Sequence, residues 1–230
     1  MNRQQQIDEF YDLMVMVEQK FSKQRLADMN KKNVPEKGVY FFFEGTELRD
    51  NKLDGRIVRI GTHGVQNLSK ATMYNRLSNH RGSKKLLGNH RGSVFRELVG
   101  RALIQRDNIE DYQHWGSRAQ KGNKEVRNSE KEMEVTVSQY LSQMKFIVLE
   151  VPGDSSKDND RAYIERNSIA LLSNFNKKAI DAPSEKWLGN FTGDNKIVKS
   201  GLWNRDYVDR EVEVGLWDKI QFYLREMKRY

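Results

Sequence analysis

The chain has 230 residues, no cysteine, 37% hydrophobic and 31% charged residues, and a formal net charge of +8. No apolar run reaches the ~18 residues that cross a bilayer, and without cysteine there is neither a disulfide framework nor a thiolate metal site. One soluble domain is expected, and an N-terminus without the basic, apolar, small-residue order of a secretory signal places it in the cytoplasm.

In chain order, residues 5–29 read as a helix whose apolar stripe is Ile7, Phe10, Met14, Val17 and Phe21. The run NKKNVPEKG breaks it. VYFFFE and RIVRIG are β-rich and joined by the turn-prone GTELRDNKLDG, which predicts a hairpin over 38–61. Alternation puts Tyr40, Phe42 and Glu44 on one face of its first strand. Ser69 is placed to cap a short helix running to about His80, and a second helix covers 94–105. Residues 106–127 are polar and irregular apart from Trp115. Helix returns at 129–144, and KFIVLEV reads as a buried strand that ends in PGDSSKDND. Residues 161–175 form a helix with Ile164, Ser168, Leu171 and Phe175 on one line and Glu165 at its border. A turn-rich tail leads to a terminal helix over 214–228.

This order predicts an α+β fold, a small three-stranded antiparallel sheet flanked by helices. Within a single domain, residues 1–35 form an N-terminal helix, 36–176 a core with a basic insertion at 81–128, and 177–230 a C-terminal extension.

The pentapeptide NHRGS occurs twice, at 79–83 and 89–93. Both copies lie in a stretch from Arg76 to Arg106 that carries eight Lys or Arg against one acid, Glu97, nearly the whole positive excess. Such a strip suits a polyanion, and its plain alternative is a solvated basic face.

No phosphate-binding loop, zinc-ligand spacing or nucleophile elbow is present. What remains is a scattered set: Tyr40 near a glycine at a strand start, Arg76 and His80 four apart on one helical surface, and Glu165 beside an apolar face. With GVY at 38–40, RIG at 59–61, the Arg76/His80 helix and IERNSIALLSN on a later helix, the chain resembles the GIY-YIG nuclease superfamily over residues 36–176.

That resemblance implies a divalent-metal-dependent endonuclease acting on DNA, double-stranded in the first instance. Glu165 matches the family's metal-ligating glutamate, holding Mg²⁺ or Mn²⁺. Tyr40 matches the tyrosine that takes a proton from the attacking water. A free tyrosine titrates near 10, so this role calls for positive charge close by, which Arg76 supplies. His80 then orients Tyr40 or passes on its proton. Arg59 stands where the family's second motif has tyrosine, a basic residue suited to a phosphate, with His63 and Tyr74 as substitutes. The family's later asparagine falls on Asn174 or Asn176. On this reading His80 of the first pentapeptide is catalytic, while Arg81, Lys84, Lys85, His90, Arg91 and Arg96 grip the nucleic-acid backbone. The first and last helices, the latter with Trp217, Phe222 and Leu224, are candidates for a homodimer contact. The rivals are a nucleic-acid-binding protein of the same fold without catalysis, and a module whose basic strip meets an acidic protein.

Overall fold

The computed structural model describes residues 1–50, 52–64, 70–154, 156 and 159–230. Its centre is one antiparallel sheet of four strands in the order β1-β4-β2-β3, comprising β1 Gln24–Arg25, β2 Gly38–Leu48, β3 Gly55–Gly61 and β4 Lys145–Glu150. The hairpin and the later strand stand where the alternation puts them.

The fourth strand corrects the expected three. β1 pairs with β4 through Gln24↔Phe146 and Arg25↔Lys145, inside a segment whose apolar pattern reads as helix. The first helix, α1, covers Arg3–Lys20 and stops there, with Phe21 extended at φ −130° and ψ 98°. Phe21 is buried all the same. It continues the Val17 stripe by four residues while no longer helical, so burial outlasts the helix and hides its end.

β2 is the inner strand, paired on both sides, and Val39 to Phe43 are all buried. A strand covered on both faces reads as a continuous apolar run rather than an alternating one. On one face Phe42 meets His80 and Phe95, with ring centroids 6.3 and 5.7 Å away. These rings come from α2 (Met73–Arg81) and α3 (Val94–Arg106). The short α4 (Lys124–Ser129) leads into α5 (Lys131–Gln143), which packs on both α2 and α3. On the other face Phe41 meets Phe10 of α1 at 6.0 Å, and α6 (Asp160–Leu172) crosses β3 and β2. The tail contributes α7 (Asn195–Ser200) and α8 (Leu216–Glu226), the latter packed on α1 and α6. The described residues thus hold eight α-helices in two layers around the sheet.

The terminal helices spend their apolar faces inside the protein. Ile7, Phe10, Met14 and Val17 of α1 and Leu216, Ile220 and Leu224 of α8 belong to the core, leaving Phe222 exposed and Trp217 half-buried. A homodimer contact through these faces finds no support. Among the described residues no helix is long and apolar enough to cross a membrane.

Candidate active site

The hairpin register sets Tyr40 opposite Gly61 and Phe42 opposite Arg59. Directly paired residues share a face, so Tyr40 and Arg59 both look toward α2. The approach at Tyr40 is close enough to require glycine: a Cβ on Gly61 would stand 2.1 Å from the Tyr40 hydroxyl. Gly38 is held as tightly, since a Cβ there would lie 2.3 Å from the Leu149 carbonyl. Steric need thus explains both glycines of the hairpin motifs. Between Phe42 and Phe43 the register slips, leaving Val58 as a bulge whose carbonyl accepts from Trp203 N at 2.7 Å. The bulge lets the tail reach β3, and Arg59 Nη1 donates to the Trp203 carbonyl. The Arg59 guanidinium also stacks over Phe95, 4.5 Å from the ring centroid.

α2 begins at Met73 with Thr72 as its cap, the Asn75 N–H reaching Thr72 Oγ1 at 3.2 Å. Ser69, the expected cap, lies outside the described residues. One turn apart on this helix, Arg76 and His80 face the hairpin. Tyr40 Oη lies 3.0 Å from His80 Nε2, and His80 Nδ1 lies 2.9 Å from Ser93 Oγ. Glu165 arrives from α6 on the opposite side of the sheet. The Thr62 N–H donates to its Oε1 at 3.2 Å while Thr62 Oγ1 donates to the Gly38 carbonyl at 2.7 Å. Thr62 therefore ties the glutamate helix to the start of the tyrosine strand.

The charges act on one another. Burial lifts Glu165 to about 7, against the pull of Arg59, Arg76 and the Thr62 N–H. Burial lowers Arg59 below the ordinary guanidinium range, with Tyr40 opposing and Arg76 reinforcing. Arg76 is raised, first by Coulombic attraction to Tyr40 and then, against its own burial, by a hydrogen bond to Tyr40 and by Glu165. His80 is held well below the imidazole range by burial, then by Arg76, Arg59 and Arg96. Tyr40 and His80 have no exposed surface, whereas Arg76 and Glu165 are half-buried and form the outward side of the cluster.

Among the described residues no group of three or more His, Cys, Asp or Glu stands together as a metal cage. Glu165 offers a carboxylate here, with Asp206 near enough to raise its pKa: Oε1 takes the Thr62 N–H and Oε2 has no hydrogen-bond partner among the described residues. One carboxylate suits a hard ion that keeps most of its waters, such as Mg²⁺ or Mn²⁺, and does not suit zinc.

The remaining predicted residues divide. His63 is buried just past β3, pushed down to about 4 by burial, then by Arg161, with Arg76 and Lys37 adding. Tyr74 lies apart, lowered by hydrogen bonding to Arg81 and Ser78 on the other flank of α2. Asn174 is not brought to the cluster. Its Oδ1 accepts from Arg3 Nη2 at 3.0 Å and from Ile180 N at 3.0 Å, which closes a loop.

The basic strip needs correction. Arg96 is fully buried, donating to the His80 carbonyl at 2.8 Å and to Glu134 Oε2 at 2.5 Å, so it has no surface to offer a phosphate. His90 is 2% exposed, bonded through Nδ1 to Glu134 at 2.9 Å and stacked on Trp115 with centroids 3.8 Å apart. Arg91 is clamped by Glu130 at 2.5 Å. Arg81 Nη1 donates to the Met29 carbonyl at 2.8 Å. Of the six predicted contacts, Lys84 and Lys85 are exposed and free of ion pairs among the described residues.

Sequence reasoning missed Ser93, Thr62 and Trp203. Ser93 was legible as the residue before a helix, and its Oγ accepts the Arg96 N–H at 3.3 Å. Its second contact, with His80, joins the cap of α3 to α2 thirteen residues away and leaves no local signal.

Comparison with family models matches the whole chain, residues 1–230, to a model described as GIY-YIG domain. Comparisons with curated proteins and with solved structures returned no match.

Proposed function

The chain belongs to the GIY-YIG nuclease superfamily, and on that premise we propose that it is a divalent-metal-dependent endonuclease hydrolysing phosphodiester bonds in double-stranded DNA. The observation that carries this reading is the meeting of Tyr40, Arg59, Arg76, His80 and Glu165 from two strands and two helices at one end of the sheet. Within it, the Nε–H groups of Arg59 and Arg76 are buried without a hydrogen-bond partner among the described residues. Guanidinium donors left unmatched beside a phenol and a carboxylate suit a phosphate that brings its own oxygens.

In this reading Tyr40 takes a proton from the attacking water as the water oxygen bonds to phosphorus and the P–O3′ bond breaks; the departing O3′ takes a proton from solvent, leaving a 5′-phosphate and a 3′-hydroxyl. Arg59 and Arg76 supply the positive charge a tyrosine base calls for, and they stabilise the charge gathering on the phosphate. Glu165 would hold Mg²⁺ or Mn²⁺, an ion that supplies Lewis-acid stabilisation of the scissile phosphate and its leaving oxygen when bound. The half-buried side formed by Arg76 and Glu165 is where DNA reaches the cluster.

The test is Mg²⁺-dependent nicking of supercoiled plasmid. Wild type converts it to the open circle, while Glu165→Ala and Tyr40→Phe bind DNA and leave it closed. Binding without nicking by wild type under both Mg²⁺ and Mn²⁺ overturns the proposal. In that case Arg59, anchored on the Trp203 carbonyl in the slot of the second-motif tyrosine, marks a fold kept for binding alone.

A further inference from the structure

We propose that Ser93 is a positioning residue that fixes His80 as the Nε2–H tautomer, so that His80 donates a hydrogen bond to Tyr40 instead of receiving its proton. The choice of tautomer rests on the hydrogen bonds together with the nuclease reading, in which Tyr40 is the group that gives up its hydrogen.

A neutral imidazole offers one donor and one acceptor. Burial and the neighbouring Arg76, Arg59 and Arg96 keep His80 neutral. Its two nitrogens have one partner each, Ser93 Oγ at 2.9 Å and Tyr40 Oη at 3.0 Å. Ser93 Oγ already accepts the Arg96 backbone N–H at 3.3 Å as the cap of α3. Its own O–H has one acceptor in reach among the described residues, the Nδ1 of His80, and Ser93 is only 2% exposed.

Placing the ring hydrogen on Nδ1 would leave the serine hydrogen buried with no acceptor, an arrangement folded proteins avoid. Placing it on Nε2 satisfies Ser93 and both ring nitrogens. The hydrogen then left without an acceptor among the described residues is that of Tyr40 itself, whose oxygen faces His80, Arg59 and Arg76. That is the hydrogen a tyrosine base must lose before it can act. The Nε2–H of His80, with Arg59 and Arg76 beside it, thus meets the one group from which the reaction removes a hydrogen.

The repeated pentapeptide acquires its meaning here. His80 belongs to the first NHRGS and Ser93 to the second, so the copies interlock across the core and are not equivalent.

The experiment is a long-range ¹H–¹⁵N correlation of the imidazole rings in the ¹⁵N-labelled full chain at neutral pH, with His80 assigned by the signal lost in His80→Gln. The expected pattern is a protonated Nε2 and a bare Nδ1. A protonated Nδ1, or an imidazolium, overturns the proposal, whether or not the wild type nicks DNA. Ser93→Asp keeps an oxygen to cap α3 but cannot donate, and is expected to move the hydrogen to Nδ1 and lower plasmid nicking about 100-fold. Ser93→Thr restores the hydroxyl and with it the wild-type pattern and rate. A moved hydrogen with undiminished nicking would sink the claim that the tautomer matters. Should Ser93→Asp not fold, the wild-type spectrum decides alone.

Discussion

The absence of one methyl group at Gly61 is what lets Tyr40 lie flat against β3, because a Cβ there would overlap the phenol at 2.1 Å. Gly61→Ala is therefore expected to displace Tyr40 and lower nicking by about 100-fold, since shifts near 1 Å carry that cost. Far-ultraviolet dichroism that stays native would place the defect in the site, and a variant as active as wild type would refute the packing argument. His63 makes a second prediction. Its folded value of about 4 lies below the 6.5 of the unfolded chain, so below pH 6.5 the unfolded state binds the extra proton and the stability from neutral His63 is lost as pH falls. Glu44 and Glu165, both lifted to about 7, act in the opposite sense. The difference between wild type and His63→Gln isolates the histidine. The variant should gain on wild type by roughly 1–2 kcal/mol as pH falls from 6.5 to about 5, and urea denaturation at the two pH values reads it. At this scale Tyr40, Arg76, His80 and Glu165 were legible because each sits on a regular element with a motif beside it. Thr62 and the His80 contact of Ser93 were not, because each depends on a partner more than ten residues away.

Between elements, α5 does what charge counting along the chain hid. Its Glu134 receives the His90 backbone N–H at 2.6 Å, His90 Nδ1 at 2.9 Å and Arg96 Nε at 3.0 Å, so one carboxylate pins the second NHRGS turn and the start of α3. The basic strip looked uncompensated because the acids that neutralise it, Glu130 and Glu134, lie about forty residues on. Glu134→Ala leaves Arg96 buried and unpaired, and is expected to destabilise the chain by about 3–5 kcal/mol in chemical denaturation. A loss under about 1 kcal/mol would show that water reaches Arg96. The short β1 escaped sequence reading for a different reason. Two residues are too few for alternation to register, and their neighbours Phe21 and Leu26 are buried as helix residues would be.

For the molecule as a whole, the exposed basic surface is narrower than the sequence suggested and displaced along the chain. Two adjoining clefts share Leu87, Gly88 and Asn89; one is bordered by Arg81 and the other by Lys124, Arg127 and Lys131. With Lys84 and Lys85, these last three are exposed and have no ion-pair partner among the described residues. Each of the five that meets a phosphate contributes about 0.9 to the slope of log affinity against log salt. Replacing Lys84, Lys85 and Lys124 by alanine should flatten that slope by two to three in a titration of duplex DNA, each loss being about one. Arg91→Ala should leave the slope as it was. Equal effects from both variants would mean that Glu130 releases Arg91 when DNA binds.

The anchoring of Arg59 on the Trp203 carbonyl spans 144 positions of chain. A ribosome delivers Arg59 long before the residue that holds it. During synthesis the guanidinium has no seat until Trp203 has emerged and folded back over the bulge. A nascent chain that stops short of residue 203 therefore lacks the seat of this guanidinium.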